Sequence, residues 1–265
     1  MRLSIVQPRA YKGENERKNL EMAASYVEKA AKEKAEVVTF PECYPGPFLG
    51  PLNFDPKEGM SKLAEEFGVY IGFGAAVEVK GKFFDSYFLV SPEGKVLGDY
   101  QKTIISSVDK DLFGKEFTRG RKYDVFKTKV GNIGFSMCWE AYFPEIARAL
   151  ALRGADLIFY PTGNPQYDFR ETWKIMLWAR SIENLAYVAS SANIYKDERG
   201  FAYIMSPERI ILENFKVGVF TADLDVNKLK KLRSEIEELG HPNSYYKTMP
   251  GLLQFSKLWP ASYDR

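Results

Sequence analysis

The sequence predicts an α/β protein, a four-layer α-β-β-α sandwich built from two similar β-α-β-α-β-β halves. Three observations lead there. One pattern occurs twice, at an offset of 115 to 120 residues read from positions 35 and 155 and from 91 and 206. Within each copy, short apolar runs alternate with stretches of helical period. At 265 residues and 45% apolar content, the chain can also bury a large core.

The first copy opens with the strand candidate "RLSIVQP" and continues into "NLEMAASYVEKAAKEK", whose apolar residues recur at helical spacing. Then comes "AEVVTFPE" at 35–42, rich in β-branched and aromatic residues and ending at a proline, as a buried strand reads. "VYIGFGAAVEV" and "SYFLVSPEGKVLG" add further strands, the latter two runs joined by a Ser-Pro-Glu turn. The second copy runs in the same order: "VGNIGFSMC", "PEIARALALRG", "ADLIFYPT", "AYVASSANIY" and "AYIMSPERIILE". Helices packed on one face of each sheet leave the other face open. Two open faces bury each other, which gives the four layers. A site at that seam would gather residues from equivalent strand ends, Glu42 in the first half and Cys138 in the second.

Residues 1–225 read as one domain. The stretch 226–265 differs: "VNKLKKLRSEIEEL" is a charged surface helix, and an aromatic, proline-containing tail follows. That tail is expected to pack on its own domain or on a partner subunit.

Composition excludes several functions. The 37 basic and 35 acidic residues leave a formal charge of +2, without the excess of basic charge that a nucleic-acid partner calls for. The sequence contains no apolar run of 18 residues, so no membrane span is expected, and the first twenty residues lack the apolar core of a signal peptide. Two cysteines, Cys43 and Cys138, make no disulfide framework and fit a reducing compartment, so the expected location is cytoplasmic. The single histidine, His241, lies in "LGHPNSYY" and reads as a turn after a helix, which leaves Ser-His-Asp and Cys-His catalysis without a partner group. Two Cys and one His form no ligand set at zinc spacing, and there is no Gly-rich phosphate loop. No metal or cofactor is expected, and chemistry would fall to Cys, Glu, Asp, Lys or Tyr.

Cys138 stands in "FSMCWEAYFPE", where an apolar run gives way to a helix start. Locally, the sequence does not decide between a buried small hydrophobe and a nucleophile and favours the first, since free cysteine packs as an apolar side chain and reacts only in suitable surroundings. Three pieces in order supply those surroundings: "FPECYPG" with Glu42, "LGDYQKT" with Lys102, and "SMCWEAYFPE" with Cys138. Together with "SPEGKVLGDYQK", "FPEIARALALRGADLIFYP" and "ARSIENLAYV", this order resembles the nitrilase superfamily of carbon–nitrogen hydrolases over residues 1 to 225. The family's α-β-β-α sandwich matches the doubled pattern.

The resemblance implies that Glu42 is a general base, Lys102 a cationic stabiliser and Cys138 the nucleophile, with the Trp139 backbone N–H as a second oxyanion donor. It implies an amidase acting on a small non-peptide amide through a cysteine thioester, releasing ammonia or an amine. The alternatives are a nitrilase converting a nitrile to acid and ammonia, or a scaffold that binds a metabolite without catalysis. Homodimers or larger homo-oligomers are expected. Two features depart from the family pattern. "KTIISS" lacks the usual His after the Lys, and the second Glu found between Lys and Cys has only Asp109, Asp111 and Glu116 as candidates, with Glu116 preferred for its residue type. A small pocket lined by Tyr44, Trp139, Tyr142 and Phe169 is expected, with "PGPFLGPLNFD" and "TGNPQYDF" at its mouth. Cys43 is expected to be a packing residue.

Overall fold

A computed structural model describes residues 1–48, 51–105, 116–163, 170–196 and 200–237. Its strands are β1 (Arg2–Gln7), β2 (Val37–Thr39), β3 (Tyr70–Val79), β4 (Lys82–Val90), β5 (Val96–Gln101), β6 (Val125–Thr128), β7 (Gly131–Phe135), β8 (Leu157–Thr162), β9 (Tyr187–Ala192), β10 (Ala202–Met205), β11 (Ile210–Asn214) and β12 (Gly218–Asp223). The α-helices are α1 (Arg17–Lys32), α2 (Pro56–Phe67), α3 (Pro144–Leu152), α4 (Arg170–Asn184) and α5 (Val226–Glu237). None of the helices among the described residues is long and apolar enough to cross a membrane.

Local chemistry sets these boundaries. In α1 the buried residues Ala23, Val27 and Ala30 recur at helical spacing and face the sheet. Helix α2 begins where the Asp55 side chain accepts from Lys57 N at 2.9 Å and Pro56 occupies the first turn; it ends at Gly68, whose φ of 64° suits a left-handed cap. Lys80 and Gly81, with φ of 51° and 74°, form the tight turn that joins β3 to β4.

Two six-stranded sheets result, with orders β12-β1-β2-β3-β4-β5 and β11-β10-β9-β8-β7-β6. In the first, β1, β2 and β3 run parallel and β4 and β5 antiparallel; in the second, β7, β8 and β9 run parallel and β10 and β11 antiparallel. The doubled pattern is therefore real, and each half carries one strand more than β-α-β-α-β-β. The Lys80-Gly81 turn and the Ser-Pro-Glu turn each make a hairpin, so three strands follow the second helix rather than two. The Ser-Pro-Glu turns close alike in both halves, with Ser91 N donating to Lys95 O and Ser206 N to Arg209 O, both at 2.8 Å. An antiparallel edge strand completes each sheet: β6 beside β7, and β12 beside β1.

Period-two alternation sorts side chains between layers. Leu3, Ile5, Val37, Tyr87 and Leu89 of the first sheet meet Phe135, Leu157, Phe159, Ala189 and Ile204 of the second in a core between the sheets. The opposite faces, Val38, Ile71 and Phe73 on one sheet and Ile158, Val188 and Tyr203 on the other, pack under α1 with α2 and under α3 with α4. The layers are α-β-β-α.

Helix α5 adds Leu229 to the core between the sheets. Its Arg233 reaches Asp156 Oδ1 at 3.1 Å, Leu185 O at 2.8 Å and Ala155 O at 2.6 Å. Asp156 is 1% exposed and also accepts from Asn132 N. Arg233→Ala removes the nearer cation of this buried carboxylate and leaves Lys230 Nζ at 3.9 Å, so we expect a loss of about 2–3 kcal/mol, read as a lower urea midpoint at unchanged slope. A midpoint equal to that of the unsubstituted protein would show that the clamp carries no stability. His241 and the tail lie outside the described residues.

Candidate active site

Beyond the ends of the parallel strands, the seam between the sheets changes from apolar to charged. After β2 the chain turns through Cys43, whose φ is 64°. Gly74 on β3 permits this path: a Cβ there would stand 2.7 Å from Cys43 N. Backbone bonds from Gly74 N to Tyr44 O at 2.8 Å and from Gly46 N to Gly74 O at 3.3 Å hold the turn against β3. Asn193, following β9, donates its side-chain amide to Glu42 O at 2.6 Å. Both halves thus fix the Glu42 backbone.

The Glu42 side chain is buried and fully engaged. Oε1 accepts from Lys102 Nζ at 2.8 Å, and Oε2 accepts from Gly163 N at 2.8 Å. The Cys138 thiol adjoins the same carboxylate, close enough for each to act on the other's proton affinity. Gly163 must be glycine for this approach, since a Cβ would sit 2.9 Å from Oε2. Lys102 follows β5, its backbone N–H donating to Asp85 O at 2.9 Å and its carbonyl accepting from Gly120 N at 2.8 Å. Its ammonium also lies 3.5 Å from Asp85 Oδ2.

Cys138 begins a 3-10 turn spanning Cys138–Tyr142, in a left-handed conformation with φ of 45°. A non-glycine residue in that region is held there by its surroundings. Here the holder is Glu140, fully buried. Its Oε2 accepts from Met137 N at 2.7 Å and Tyr100 Oη at 2.6 Å; its Oε1 accepts from Thr103 N at 2.6 Å, Thr103 Oγ1 at 2.7 Å and Ile104 N at 3.1 Å. One carboxylate therefore ties the turn that carries Cys138 to the segment that carries Lys102. Arg180 on α4 holds the far side, donating through Nε and Nη2 to Ala141 O.

Charge follows from this packing. Burial raises the proton affinity of Glu42, but the Lys102 ammonium and the hydrogen bonds around the carboxylate outweigh it and hold Glu42 below the usual carboxylate range. For Cys138, burial and then the Glu42 charge push the thiol well above its ordinary value, against the pull of Lys102. The resting site is a carboxylate beside a neutral thiol.

Glu42, Lys102 and Cys138 thus come together. Trp139 and Tyr142 flank Cys138, 43% and 40% exposed, with ring centroids 5.0 Å apart. Tyr44, expected at the pocket wall, is instead fully buried: its ring stacks on Phe40 and its hydroxyl donates to Asn19 O at 2.9 Å. It follows the turn after Glu42, where the chain dives under α1. Glu116, the preferred second carboxylate, is exposed, next to the Phe83–Phe117 bridge that pins its neighbour to the sheet edge. Among the described residues, the carboxylates that sit beside the cluster are Asp85 and Glu140. Asp85 had a readable signal, since it shares strand parity with Tyr87 and Leu89 and so puts a charge on an apolar inner face. Cys43 is buried beside Phe48, Ala76 and Phe117, as a packing residue would be. Asp109, Asp111 and Phe169 lie outside the described residues.

Solved structures share this sandwich. A carbon–nitrogen hydrolase from Helicobacter pylori G27 superposes with a TM-score of 0.78 at 20% identity, over 88% of this chain and 92% of that one. An amidase from Nesterenkonia sp. does so with a TM-score of 0.74 at 20% identity, over 90% and 95%. The fold is that of the nitrilase superfamily. More specifically, the chain belongs to the carbon-nitrogen hydrolase family, whose sequence model matches residues 2–234. Among its relatives are omega-amidase NIT2-B of Xenopus laevis, 29% identical over 82% of this chain and 87% of that protein, and deaminated glutathione amidase of a Synechocystis strain, 29% identical over 84% and 92%.

Proposed function

We propose that this protein is an amidase that hydrolyses a small non-peptide amide through a thioester on Cys138, releasing ammonia or an amine. The observation that carries the reading is the Glu42 carboxylate, which accepts from the Lys102 ammonium and the Gly163 N–H and adjoins the Cys138 thiol. Both relatives above are amidases by name, which favours amides over nitriles.

In this reading Glu42 takes the thiol proton as Cys138 Sγ attacks the amide carbon. Negative charge develops on the carbonyl oxygen. Lys102 and the Trp139 backbone N–H stabilise it in a site poor in water, where such contacts are strongest. Glu42 then gives its proton to the departing nitrogen, leaving the acyl group on sulfur. Water enters, loses a proton to Glu42 and attacks the thioester; the proton returns to sulfur as the acid leaves. A thiol this hard to ionise does not react unaided near neutral pH, so the adjacent base is necessary.

The test is ammonia release from short aliphatic, dicarboxylic and aromatic primary amides and their matching nitriles, with Cys138→Ala run alongside. Release from amides alone, abolished in the variant, is expected. Release from nitriles would replace the reading with a nitrilase. Activity that survives Cys138→Ala would overturn the thioester.

A further inference from the structure

Among the described residues, Lys102 faces two carboxylates, Glu42 and Asp85. Its ammonium lies 2.8 Å from Glu42 Oε1 and 3.5 Å from Asp85 Oδ2, and all three side chains are 5% exposed or less. Asp85 is itself within hydrogen-bond reach of Glu42. It belongs to β4, opposite Ala76 of β3, and accepts the Lys102 backbone N–H through its carbonyl, so its place is fixed by the sheet.

We propose that Asp85 is a positioning residue for the reaction: it divides the Lys102 charge between two carboxylates, so that Glu42 keeps enough basicity to take the Cys138 proton. This rests on the reading of Glu42, Lys102 and Cys138 as the reacting groups. A buried ammonium paired only with Glu42 would bind that carboxylate's charge so firmly that protonating it would leave an uncompensated cation in the interior. With Asp85 present, Lys102 keeps a partner at every stage. When the proton moves from Cys138 Sγ to Glu42, the Lys102–Asp85 pair persists and the cluster's net charge does not change. Held ionised by Lys102, Asp85 raises the proton affinity of Glu42 through its charge, whereas a neutral Asp85 hydrogen-bonded to Glu42 would lower it. Among the described residues, the charged or titratable groups around Glu42 are Lys102, Asp85, Cys138 and Cys43, and those acting on Cys138 are Glu42 and Lys102. Asp85 therefore acts on the base more than on the nucleophile.

The consequence is measurable on the thiol itself. Where Glu42 is ionised and Cys138 is not, the share of thiolate formed by passing the proton to Glu42 is set by the difference between their proton affinities and does not vary with pH, whereas the share formed by loss of the proton to water rises tenfold per pH unit. Each unit by which Glu42 becomes more acidic lowers that plateau tenfold. In alkaline solution the thiol loses its proton to water, and Glu42 no longer matters.

The experiment is the rate of iodoacetamide addition to Cys138 in the full-length protein, at pH 6–8 and again above pH 10, with peptide mapping to separate Cys138 from Cys43. Asp85→Asn is expected to lower the neutral rate about tenfold, leave the alkaline rate within about twofold, and reduce kcat about tenfold with KM within about threefold. Asp85→Glu, which restores the charge, is expected to recover most of the neutral rate. Asp85→Ser provides a second neutral variant should the asparagine fail to fold. Equal neutral rates in the neutral variants and the unsubstituted protein would overturn the proposal. So would parallel changes at both pH values, the mark of a merely loosened site, or a folded Asp85→Glu protein as slow as Asp85→Asn. If the unsubstituted Cys138 reacts near pH 7 no faster than it does in Glu42→Gln, the reading of the reacting groups fails, and this inference fails with it. If that thiol is reactive and only the Asp85 variants behave otherwise than expected, Asp85 alone is excluded.

Discussion

Glu42→Gln is expected to lower amide hydrolysis about a thousandfold while leaving the protein folded. The amide is nearly isosteric, and its oxygen can still accept from Gly163 N, the bond now made at 2.8 Å. What disappears is the capacity to take a proton. With no base beside it, the Cys138 thiol stays protonated near neutrality, since burial holds it well above its ordinary range. Lys102 keeps Asp85 at 3.5 Å, so the substitution does not strand a cation. The glutamine N–H₂ then faces the ammonium donor to donor, however, so the melting temperature should fall by a few degrees without loss of the fold. Three readings belong together: kcat for an amide substrate, the neutral rate of Cys138 alkylation, and thermal melting. The first two should collapse together while the third shifts by only those few degrees. A variant that keeps a tenth of the activity would exclude Glu42 as the base. Loss of folded protein would mean that its role in joining the halves dominates.

Glu140→Ala is expected to act on both stability and rate. The carboxylate accepts five hydrogen bonds, three of them from backbone N–H groups of Met137, Thr103 and Ile104. Alanine leaves those donors facing a dry cavity, which should cost on the order of 3–5 kcal/mol. The rate should fall at least about a hundredfold in whatever protein remains folded, because the Cys138 turn and the Lys102 segment lose their common anchor and small misplacements are expensive in rate. Glu140→Gln separates the two effects. It refills the cavity but sets an N–H₂ against donors, so it should be more stable than Glu140→Ala and still strongly impaired. A urea melt and an activity assay on both variants decide the matter. Full activity in a folded Glu140→Gln protein would mean that the turn holds Cys138 without this carboxylate.

Much of this architecture was legible because the chain states it twice. Strand runs such as "ADLIFYPT" are apolar on both faces, which is how a parallel strand between two layers must read, and the second copy confirms each weak signal in the first. Glu42 and Cys138 were legible as strand ends, and each of them, like Lys102, was ambiguous alone. Only the order of Glu42, Lys102 and Cys138 with their neighbours, through resemblance to a family, singled them out. What sequence reading did not reach depends on three-dimensional contact. Tyr44 looked like a pocket residue because it follows Glu42 by two positions, yet the left-handed turn at Cys43 sends it into the core instead. Glu116 matched a residue type but lay on the exposed edge. Asp85, 17 residues before Lys102 in sequence, meets it across a hairpin; strand parity marks it as an inward charge but does not name its partner. Gly163 and Asn193 serve the site through a backbone N–H and a side-chain amide, at distances of 121 and 151 residues along the chain from Glu42. Such contacts have no periodicity to read.

The last strand changes how the two halves can be regarded. β12 is encoded after the whole second half, yet it lies in the first sheet, pairing with β1 from Arg2 opposite Asp223 to Gln7 opposite Gly218. A nascent chain that has produced only its first half therefore holds β1 as an open edge, with an unpaired row of backbone groups and an uncovered apolar face. That edge stays available to foreign strands until residues 218–223 are made, the longest wait the topology allows. The repeat is thus two copies in sequence but one unit in assembly. Cutting the chain between the halves would not yield two small proteins: the first sheet would lose β12, the second fragment would carry that strand with no sheet to join, and the inner face of each sheet would be uncovered.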